Sequence, residues 1–418
     1  MDKANTLAPE KWYLPKKIIF RFFFVFCVLT IFPAIGNIIF TFVSKLLNSL
    51  LDANINYHPS GSGDTLYDYY KLAFMLTAAF VITCVWSIID RKTPNYKQIL
   101  YWQETYIRYY LGAFMLIYGF SKVIKTQFTY PSLTSLLLPL GNKSPMGLAW
   151  TFMGLADTYT IFSGLCEVAG GLLLMYRKTR TLGAIVCFGV MLNVFLMNMS
   201  YDIPVKLFSL QLMLLAAFLI GLDYKRLSNV FILNKPVGAQ LNRNPFKPAW
   251  ANITTQILKG IAVVTACGLM IYNGLDSQAQ YGDTTPKPPM YGIYEIENFI
   301  INNDTLPPLL NDTIRWRYIV IDKGDRGNIF KMQTSSYNNM IYFNTETDTI
   351  KKELYFINYR DSVQTGTFQY HKTDSIHYHF KGLFKGDSIK LYTVRTDEKD
   401  FLLTNRGFHW INEYPYNR

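Results

Sequence analysis

Long apolar segments, separated by short polar connections, occupy the first two-thirds of the chain. A membrane-spanning helix needs roughly 20 mostly apolar residues. Seven segments meet that requirement, and they run approximately over residues 18–43, 70–89, 106–124, 158–176, 182–199, 204–222 and 257–275. The pattern predicts a polytopic α-helical membrane bundle of about seven transmembrane helices. The first helix is expected to remain in the protein, because it is too long for a signal-peptide core and no small-residue cleavage site follows it.

The pattern changes to period two from Met290 onward, which is typical of β-strands. Turn-forming sequences such as Asn302-Asn303-Asp304 and Lys385-Gly386-Asp387 separate many of the alternating segments. Strands are predicted over residues 291–301, 314–322, 329–334, 340–344, 351–357, 366–371, 375–381, 388–394 and 401–410. This number of short strands at hairpin spacing favours a C-terminal all-β domain, either a barrel or a sandwich.

A proline-rich stretch, Thr284-Thr285-Pro286-Lys287-Pro288-Pro289, lies near this change of pattern. Clustered prolines favour stiff, extended chain, so the stretch is predicted to be a linker. The predicted organisation is two N-terminal transmembrane helices (1–103), a four-helix transmembrane core (104–222), a cytoplasmic loop with the seventh helix and the linker (223–283), and an extracytoplasmic β-rich domain (284–418).

Basic residues mark every second connection between the predicted helices. They precede the first helix and follow the second, fourth and sixth, at Lys11 to Arg21, Arg91 to Lys97, Arg177 to Arg180 and Lys225 to Lys247. The alternate connections carry aspartates and fewer basic residues. Because Lys and Arg accumulate on the cytoplasmic side of membrane proteins, we expect a bacterial inner-membrane protein with a cytoplasmic N-terminus and a periplasmic C-terminal domain.

The net charge of +12 does not point to nucleic acid. The basic residues stand beside apolar segments, where they orient membrane helices, so membrane lipid is the predicted partner and nucleic acid is not. All five cysteines lie in apolar segments and no CxxC motif is present, which indicates neither a disulfide framework nor a zinc site. His377 and His379 share a strand face with His371 across a turn, but exposed strand histidines are far commoner than metal sites. No metal site is predicted.

The third connection, from Lys125 to Asp157, contains a short apolar stretch over residues 133–140. Pro131 and Pro139 bound it, and it is too short to cross a bilayer. It is expected to be interfacial or re-entrant.

Several polar residues stand at membrane depth, where charged groups cost about 3 kcal/mol or more and therefore tend to face the bundle interior in pairs. Asp202 and Lys206 have the i,i+4 spacing that allows them to interact on a helix. The predicted topology brings the group to the outer half of the four-helix core, and its members are Glu167, Lys206, Lys122, Asp202, Asn193, Asn198 and Gln211. One interpretation is a polar pocket that binds a quinone headgroup, a lipid headgroup or a proton. The other is that Glu167 and Lys206 are buried partners that fix helix register. Arg108, at the cytoplasmic end, is interpreted as an interfacial anchor.

Short motifs in the central region carry a family resemblance. They are Arg108-Tyr109-Tyr110-Leu111-Gly112, Tyr118-Gly119-Phe120-Ser121-Lys122, residues 166–174, the basic turn Arg177-Lys178-Thr179-Arg180, and residues 198–206. As a set they resemble the DoxX-like family of small bacterial four-helix membrane proteins, over about residues 104–222. A more distant likeness is to the membrane part of vitamin K-dependent carboxylase-like proteins. In the β-rich domain, Gly292-Ile293-Tyr294-Glu295 with Arg406 and Trp410 faintly resembles a lipocalin-type barrel.

The DoxX-like resemblance implies a redox-linked, quinone-associated membrane subunit or accessory factor. The β-rich domain would then dock a periplasmic or membrane protein partner. No catalytic residue is predicted and no intrinsic cofactor is expected, because clustered cysteines are absent and the predicted membrane helices contain no histidine to hold haem or an iron–sulfur cluster. Two alternatives stay open, a non-enzymatic envelope scaffold and an outer-leaflet enzyme that modifies a lipid or quinone.

Overall fold

The computed structural model describes residues 11–51, 55, 63–238, 248–333, 340–414 and 416. A helical region precedes a β-sheet region, as the sequence predicts. The helices are α1 (Leu14–Ile31), α2 (Pro33–Leu51), α3 (Leu66–Ile89), α4 (Lys97–Val123), α5 (Leu133–Leu137), α6 (Pro145–Leu155), α7 (Asp157–Met175), α8 (Arg180–Ser200), α9 (Lys206–Gly221), α10 (Tyr224–Phe231), α11 (Ala249–Tyr281) and α12 (Leu402–Asn405).

The chain forms two compact units, which we name by their main structure. The helical unit comprises Met1–Gly119 with Ser163–Val263, and the barrel unit comprises Phe120–Phe162 with Val264–Arg418. The strands of the barrel unit are β1 (Gly292–Ile301), β2 (Asp304–Leu306), β3 (Trp316–Ile321), β4 (Arg326–Lys331), β5 (Ile341–Asp348), β6 (Glu353–Asn358), β7 (Gln364–Lys372), β8 (His377–Phe384) and β9 (Asp387–Thr396). The fourfold division proposed from the sequence stays a prediction.

Within the helical unit, small residues let helices approach closely. A side chain at Gly171 of α7 would place its Cβ 2.9 Å from the carbonyl oxygen of Gly112 in α4. A Cβ at Gly183 of α8 would lie 2.9 Å from the backbone of Leu174. Membrane helices pack through such small-residue contacts, because the surrounding lipid gives no hydrophobic drive to associate.

The predicted single helix over residues 18–43 is wrong. The structure has two helices there, since α1 ends at Ile31 and α2 begins at Pro33. Proline has no backbone N–H and its ring disfavours a helical conformation of the residue before it, so Phe32 cannot continue the helix into Pro33. The region before residue 104 contains α1, α2, α3 and the start of α4. The two transmembrane helices assigned to it stay a prediction, because α1 and α2 are long and apolar enough to form one bent span together.

Among the described residues, four helices are long and apolar enough to cross a membrane, namely α3, α7, α8 and α11. The number rises to six if the bent pairs α1 with α2 and α9 with α10 each form one span. Helix α4, with 27 residues, begins nine residues before the predicted segment and so includes Gln103 and Glu104. These helices are consistent with a membrane protein, and a count of seven spans stays a prediction.

The β-rich region is a closed barrel, which decides between the two predicted architectures. In the sheet over the described residues, neighbouring strands along the chain pair antiparallel, except that β2 does not pair with β3. Instead, β3 pairs with the start of β1 and β2 pairs with its end. β1 also pairs with β9, from Ile293 opposite Thr396 to Ile301 opposite Ile389. Eight strands, β1 and β3 to β9, therefore close an up-and-down barrel.

Aromatic side chains fill the barrel interior. The buried members of its core include Tyr294, Phe299, Trp316, Phe343, Phe356, Phe368 and Phe380. Close ring pairs such as Phe343 with Phe356, whose centroids are 4.3 Å apart, pack the centre. An eight-stranded barrel is just wide enough either for its own side chains to fill it or for one small ligand, and here the aromatic cluster occupies the interior.

The expectation of an interfacial or re-entrant stretch at residues 133–140 stays a prediction, but the structure shows which residues its leucines contact. Leu133 and Leu138 are buried in a cluster with Ile293, Val320 and Phe330 of the barrel strands. The Leu133 backbone N–H also donates to the Asp322 carboxylate over 2.9 Å. The leucines that made the stretch apolar are therefore packed on the barrel within one unit.

The last predicted strand, over residues 401–410, is also wrong. Helix α12 occupies Leu402–Asn405, and the side chains of Phe408 and Trp410 are more than 80% exposed. The reason is topological, because β9 pairs with β8 and β1 and leaves no edge for another strand. The short strand β2 was not predicted, since three residues show too little alternation.

Candidate functional site

The predicted pair of Asp202 and Lys206 is confirmed. The Lys206 ammonium lies 2.8 Å from the Asp202 carboxylate, one helical turn away. A second carboxylate fixes the start of α9, because Asp64 accepts the backbone N–H groups of Lys206 and Leu207 over 2.6 and 2.9 Å. Most of the Asp202 side chain is exposed, so this pair is a surface contact of the helical unit.

The other polar residues of α8 and α9 differ in burial and in their contacts. Asn198 is buried and donates to the Ser209 hydroxyl over 3.0 Å. Asn193 is exposed, so the expectation that it points into the bundle is wrong. Five residues turn a helix by about 140° beyond a full circle, which places Asn193 and Asn198 on different faces. The Gln211 amide nitrogen is buried and has no partner among the described residues.

Glu167 and Lys122 are both almost fully buried, at 1% and 4% exposure. Glu167, on α7 of the helical unit, lies within electrostatic reach of Tyr118 and Cys187. Lys122, at the end of α4, belongs to the barrel unit. A functional role for the predicted polar group stays a prediction.

A buried ionic cluster that the sequence did not reveal lies elsewhere in the helical unit. The Glu104 carboxylate is 2.9 Å from Arg180, 3.5 Å from Arg177 and 4.0 Å from Arg108. Arg180 also pairs with Asp223. The i,i+4 spacing of Glu104 and Arg108 and the basic turn at residues 177–180 were visible signals, but nothing in the sequence joined them.

Arg108 is a buried helix cap and not the interfacial anchor that was expected. Its guanidinium donates to the carbonyl oxygens of Leu174 and Met175 at the end of α7, over 3.0 and 3.1 Å. The last carbonyls of a helix lack partners within the helix, and a cation there also matches the negative end of the helix dipole. The cluster therefore fixes helix ends, and we assign it a structural role.

The barrel unit contains a cleft of about 1260 Å³ outside the barrel core. Its walls are the segment from Thr129 to Thr151 and the strands and turns around β4, β5 and β6. Its aromatic lining residues include Tyr130, Trp150 and Tyr342. A cleft of this size with a mixture of aromatic and polar groups is typical of a small-molecule or peptide site.

Hydroxyl groups and one amide form what we call the polar floor of the cleft, defined by Thr134, Ser135, Thr151 and Asn328. The Asn328 amide nitrogen donates to the Thr134 hydroxyl oxygen over 2.7 Å, which joins β4 to the segment before α6. The Lys143 ammonium donates to the Ser135 and Thr151 hydroxyls over 3.1 and 3.2 Å. Side chains about 190 residues apart along the chain thus meet in one place.

The carboxylates that line the cleft already have partners. Asp283 pairs with Lys125 over 2.7 Å and accepts the Tyr130 backbone N–H. Glu398 pairs with Lys287. Asp322 accepts backbone N–H groups, and burial raises the pKa of its carboxyl above the ordinary value. These contacts hold the walls of the cleft in place.

The histidines of the barrel do not come together as a metal site. His371 and His379 are opposite each other on β7 and β8, while His377 pairs with Asp374 in the turn between those strands. In the part of the chain that the structure describes, no group of three or more His, Cys, Asp or Glu side chains could hold a metal ion.

The fold and the cleft define a class of protein in which helices apolar enough for a membrane precede a β-barrel unit with an external cleft. The chain is 30% identical over 124 residues to the uncharacterized protein YwoB of Bacillus subtilis strain 168, a match that covers 30% of this chain and 79% of that protein. The chain belongs to the same family as YwoB. No protein-family model matches it, and no solved structure gives a significant match.

Proposed function

We propose that the protein is an integral membrane accessory protein whose barrel unit binds a ligand or a partner group in the cleft. The cleft carries this proposal, because it combines aromatic lining residues with a polar floor held by hydrogen bonds and with carboxylates held by ion pairs. Preformed clefts of this kind bind ligands without a large cost of ordering. The packed barrel core leaves the outer surface as the place for recognition.

The DoxX-like resemblance adds a redox link to this proposal. A quinone would then be borrowed from the membrane, and the barrel unit would hold the protein partner of the redox reaction. Support for this part comes from the motifs between Arg108 and Lys206 alone, and quinone association and oxidoreductase partnership stay predictions.

The orientation is tested with a reporter enzyme that is active only outside the cytoplasm. We expect activity when the reporter follows Arg418 and none when it follows Arg180, because basic connections favour the cytoplasmic side. The first fusion reports on the barrel unit, and the second reports on the basic turn after α7. The reverse pair of results would place the barrel in the cytoplasm and overturn the proposed orientation.

Occupancy of the cleft is tested by narrowing it with a bulky residue. Asn344, on β5, lines the cleft, whereas Gln369, on β7, is exposed outside it. We expect native mass spectrometry to detect a bound non-protein mass on full-length protein and on Gln369→Trp, but not on Asn344→Trp. Equal occupancy of both variants would show that the molecule binds elsewhere. Absence of any bound mass from protein kept in native lipid would refute the binding role.

A further inference from the structure

We propose that the polar floor of the cleft binds a phosphate group, either on a lipid headgroup or on a free phosphorylated molecule. The inference rests on the proposed binding role of the cleft and adds the chemistry of the ligand. It follows from a cluster of hydrogen-bond donors that includes a cation with no acidic partner.

The cation in this cluster of donors is Lys143. Its half-buried ammonium contacts two hydroxyl oxygens, on Ser135 and Thr151, and no carboxylate lies within ion-pair distance of it among the described residues. Burial lowers the pKa of Lys143, and no acidic group offsets that effect. An anion bound beside a partly desolvated cation stabilises its charged form.

Two hydroxyl groups of the polar floor keep a proton to donate, whereas the Thr151 hydroxyl already donates to the Gly147 carbonyl oxygen over 2.8 Å. Thr134 accepts from Asn328 and Ser135 accepts from Lys143, and neither hydroxyl donates to an acceptor among the residues with described positions. A hydroxyl oxygen that accepts one hydrogen bond can still donate its own proton. A phosphate group supplies several acceptor oxygens, which matches this set of donors.

Asn328 provides an independent sign of a missing ligand. Its side chain is 9% exposed, lines the cleft, and has a buried amide oxygen with no partner in the described part of the chain. Buried polar atoms without partners are rare and costly. The hydroxyl of a singly protonated phosphate, or of an adjoining glycerol or sugar, would satisfy that oxygen, and a half-turn of the amide would instead present its N–H groups to the phosphate.

The start of α6 and the rim of the cleft both favour a negatively charged ligand. Met146 and Gly147, in the first turn of α6, line the cleft, and Ser144 caps that turn by accepting the Gly147 N–H over 3.0 Å. A helix N-terminus carries partial positive charge and binds phosphates readily. Arg326, Arg360 and Lys385 add positive charge at the rim, while the lining carboxylates are occupied by the contacts described above.

The test measures binding of three probes to full-length protein in detergent, by isothermal titration calorimetry. The probes are inorganic phosphate, glycerol 3-phosphate and dihexanoyl phosphatidic acid. We expect Lys143→Gln to weaken binding by about tenfold or more, since hydrogen bonds to charged groups contribute about 1.5–3 kcal/mol. Ser135→Ala, which removes one donor, should weaken it less. Lys381→Gln removes an exposed lysine of β8 outside the cleft and should bind as the unmodified protein does.

The three probes separate the sources of the phosphate. Preference for the phosphatidic acid identifies a lipid headgroup, whereas equal or stronger binding of glycerol 3-phosphate identifies a free phosphorylated molecule. If none of the probes binds, or if Lys143→Gln binds them as tightly as Lys381→Gln does, the phosphate inference is wrong. A bound mass without phosphorus that disappears in Asn344→Trp would leave the binding role intact and refute the phosphate assignment alone.

Discussion

Replacing Arg315 with methionine is expected to lower the free energy of unfolding of the barrel by about 3 kcal/mol or more, because several buried carbonyls lose their donor. The Arg315 guanidinium is 1% exposed and donates to backbone carbonyls at Leu306, Trp316, Ile296 and Glu297, with distances from 2.8 to 3.3 Å. Glu297 lies at the irregularity in the pairing of β1 with β9, where the ladder shifts register. Methionine fills similar space but leaves these carbonyls without donors, and each buried unpaired group costs about 1–3 kcal/mol.

Arg317→Met is the matched control for this prediction, because Arg317 is two residues away on β3 and is exposed. Its charge lies over the ring of Tyr318 at 4.9 Å, a contact whose loss should change stability little. Denaturant unfolding of the full chain in detergent, followed by the fluorescence of the tryptophans, measures both variants. Similar midpoints for the two would show that the Arg315 network does not stabilise the barrel.

Glu104→Gln is expected to destabilise the helical unit by about 3 kcal/mol or more. Three arginines surround this carboxylate, and neutralising it leaves their positive charges facing one another inside the protein. Arg180 keeps Asp223 as a partner, whereas Arg177 has no other carboxylate within 4.0 Å among the described residues. Thermal unfolding of the full chain in detergent, monitored by circular dichroism at the helical signal, measures the change.

Asp202→Asn is the corresponding control in the same unit. Its carboxylate is 84% exposed and pairs with Lys206 on the surface, where an ion pair contributes little. Asparagine also tolerates the positive φ of 50° at this position. If Glu104→Gln unfolds at the same temperature as Asp202→Asn, the buried cluster does not have the structural role that we assign to it.

The strand pattern of the barrel was readable from the sequence because each strand buries one face. Alternation placed eight of the nine strands within a few residues, as for β9, which was predicted at 388–394 and runs from Asp387 to Thr396. The strand predicted at residues 401–410 does not form, because alternation along the sequence does not show which strand edges are already paired. The pairing of β1 with β9 uses the last free edge, and only the three-dimensional closure shows that no further strand can join.

The length and apolarity of the segments predicted the helices. The breaks between helices and the contacts of their charged residues were harder to predict from the sequence. Pro33 itself indicated the break, but the long apolar segment around it favoured the prediction of a single helix. The partners of Glu104 come from α4 itself, from the turn after α7 and from α8, so no spacing along one helix reveals them. The polar floor could not be predicted from the sequence for the same reason, since Thr134 and Asn328 meet only after the barrel has formed.

The packing of Leu133 and Leu138 against the barrel strands sets an order of events during synthesis. Their partners Ile293, Val320 and Phe330 follow them by about 155 to 195 residues. At about 5–20 residues per second, a ribosome takes on the order of 10–40 s to reach the last of these partners. During that interval the two leucines cannot be buried against the barrel strands. The pairing of β1 with β9 forms still later, because β9 is synthesised last. We therefore expect the nascent chain to depend on a chaperone or the lipid surface as a temporary cover for residues 133–138.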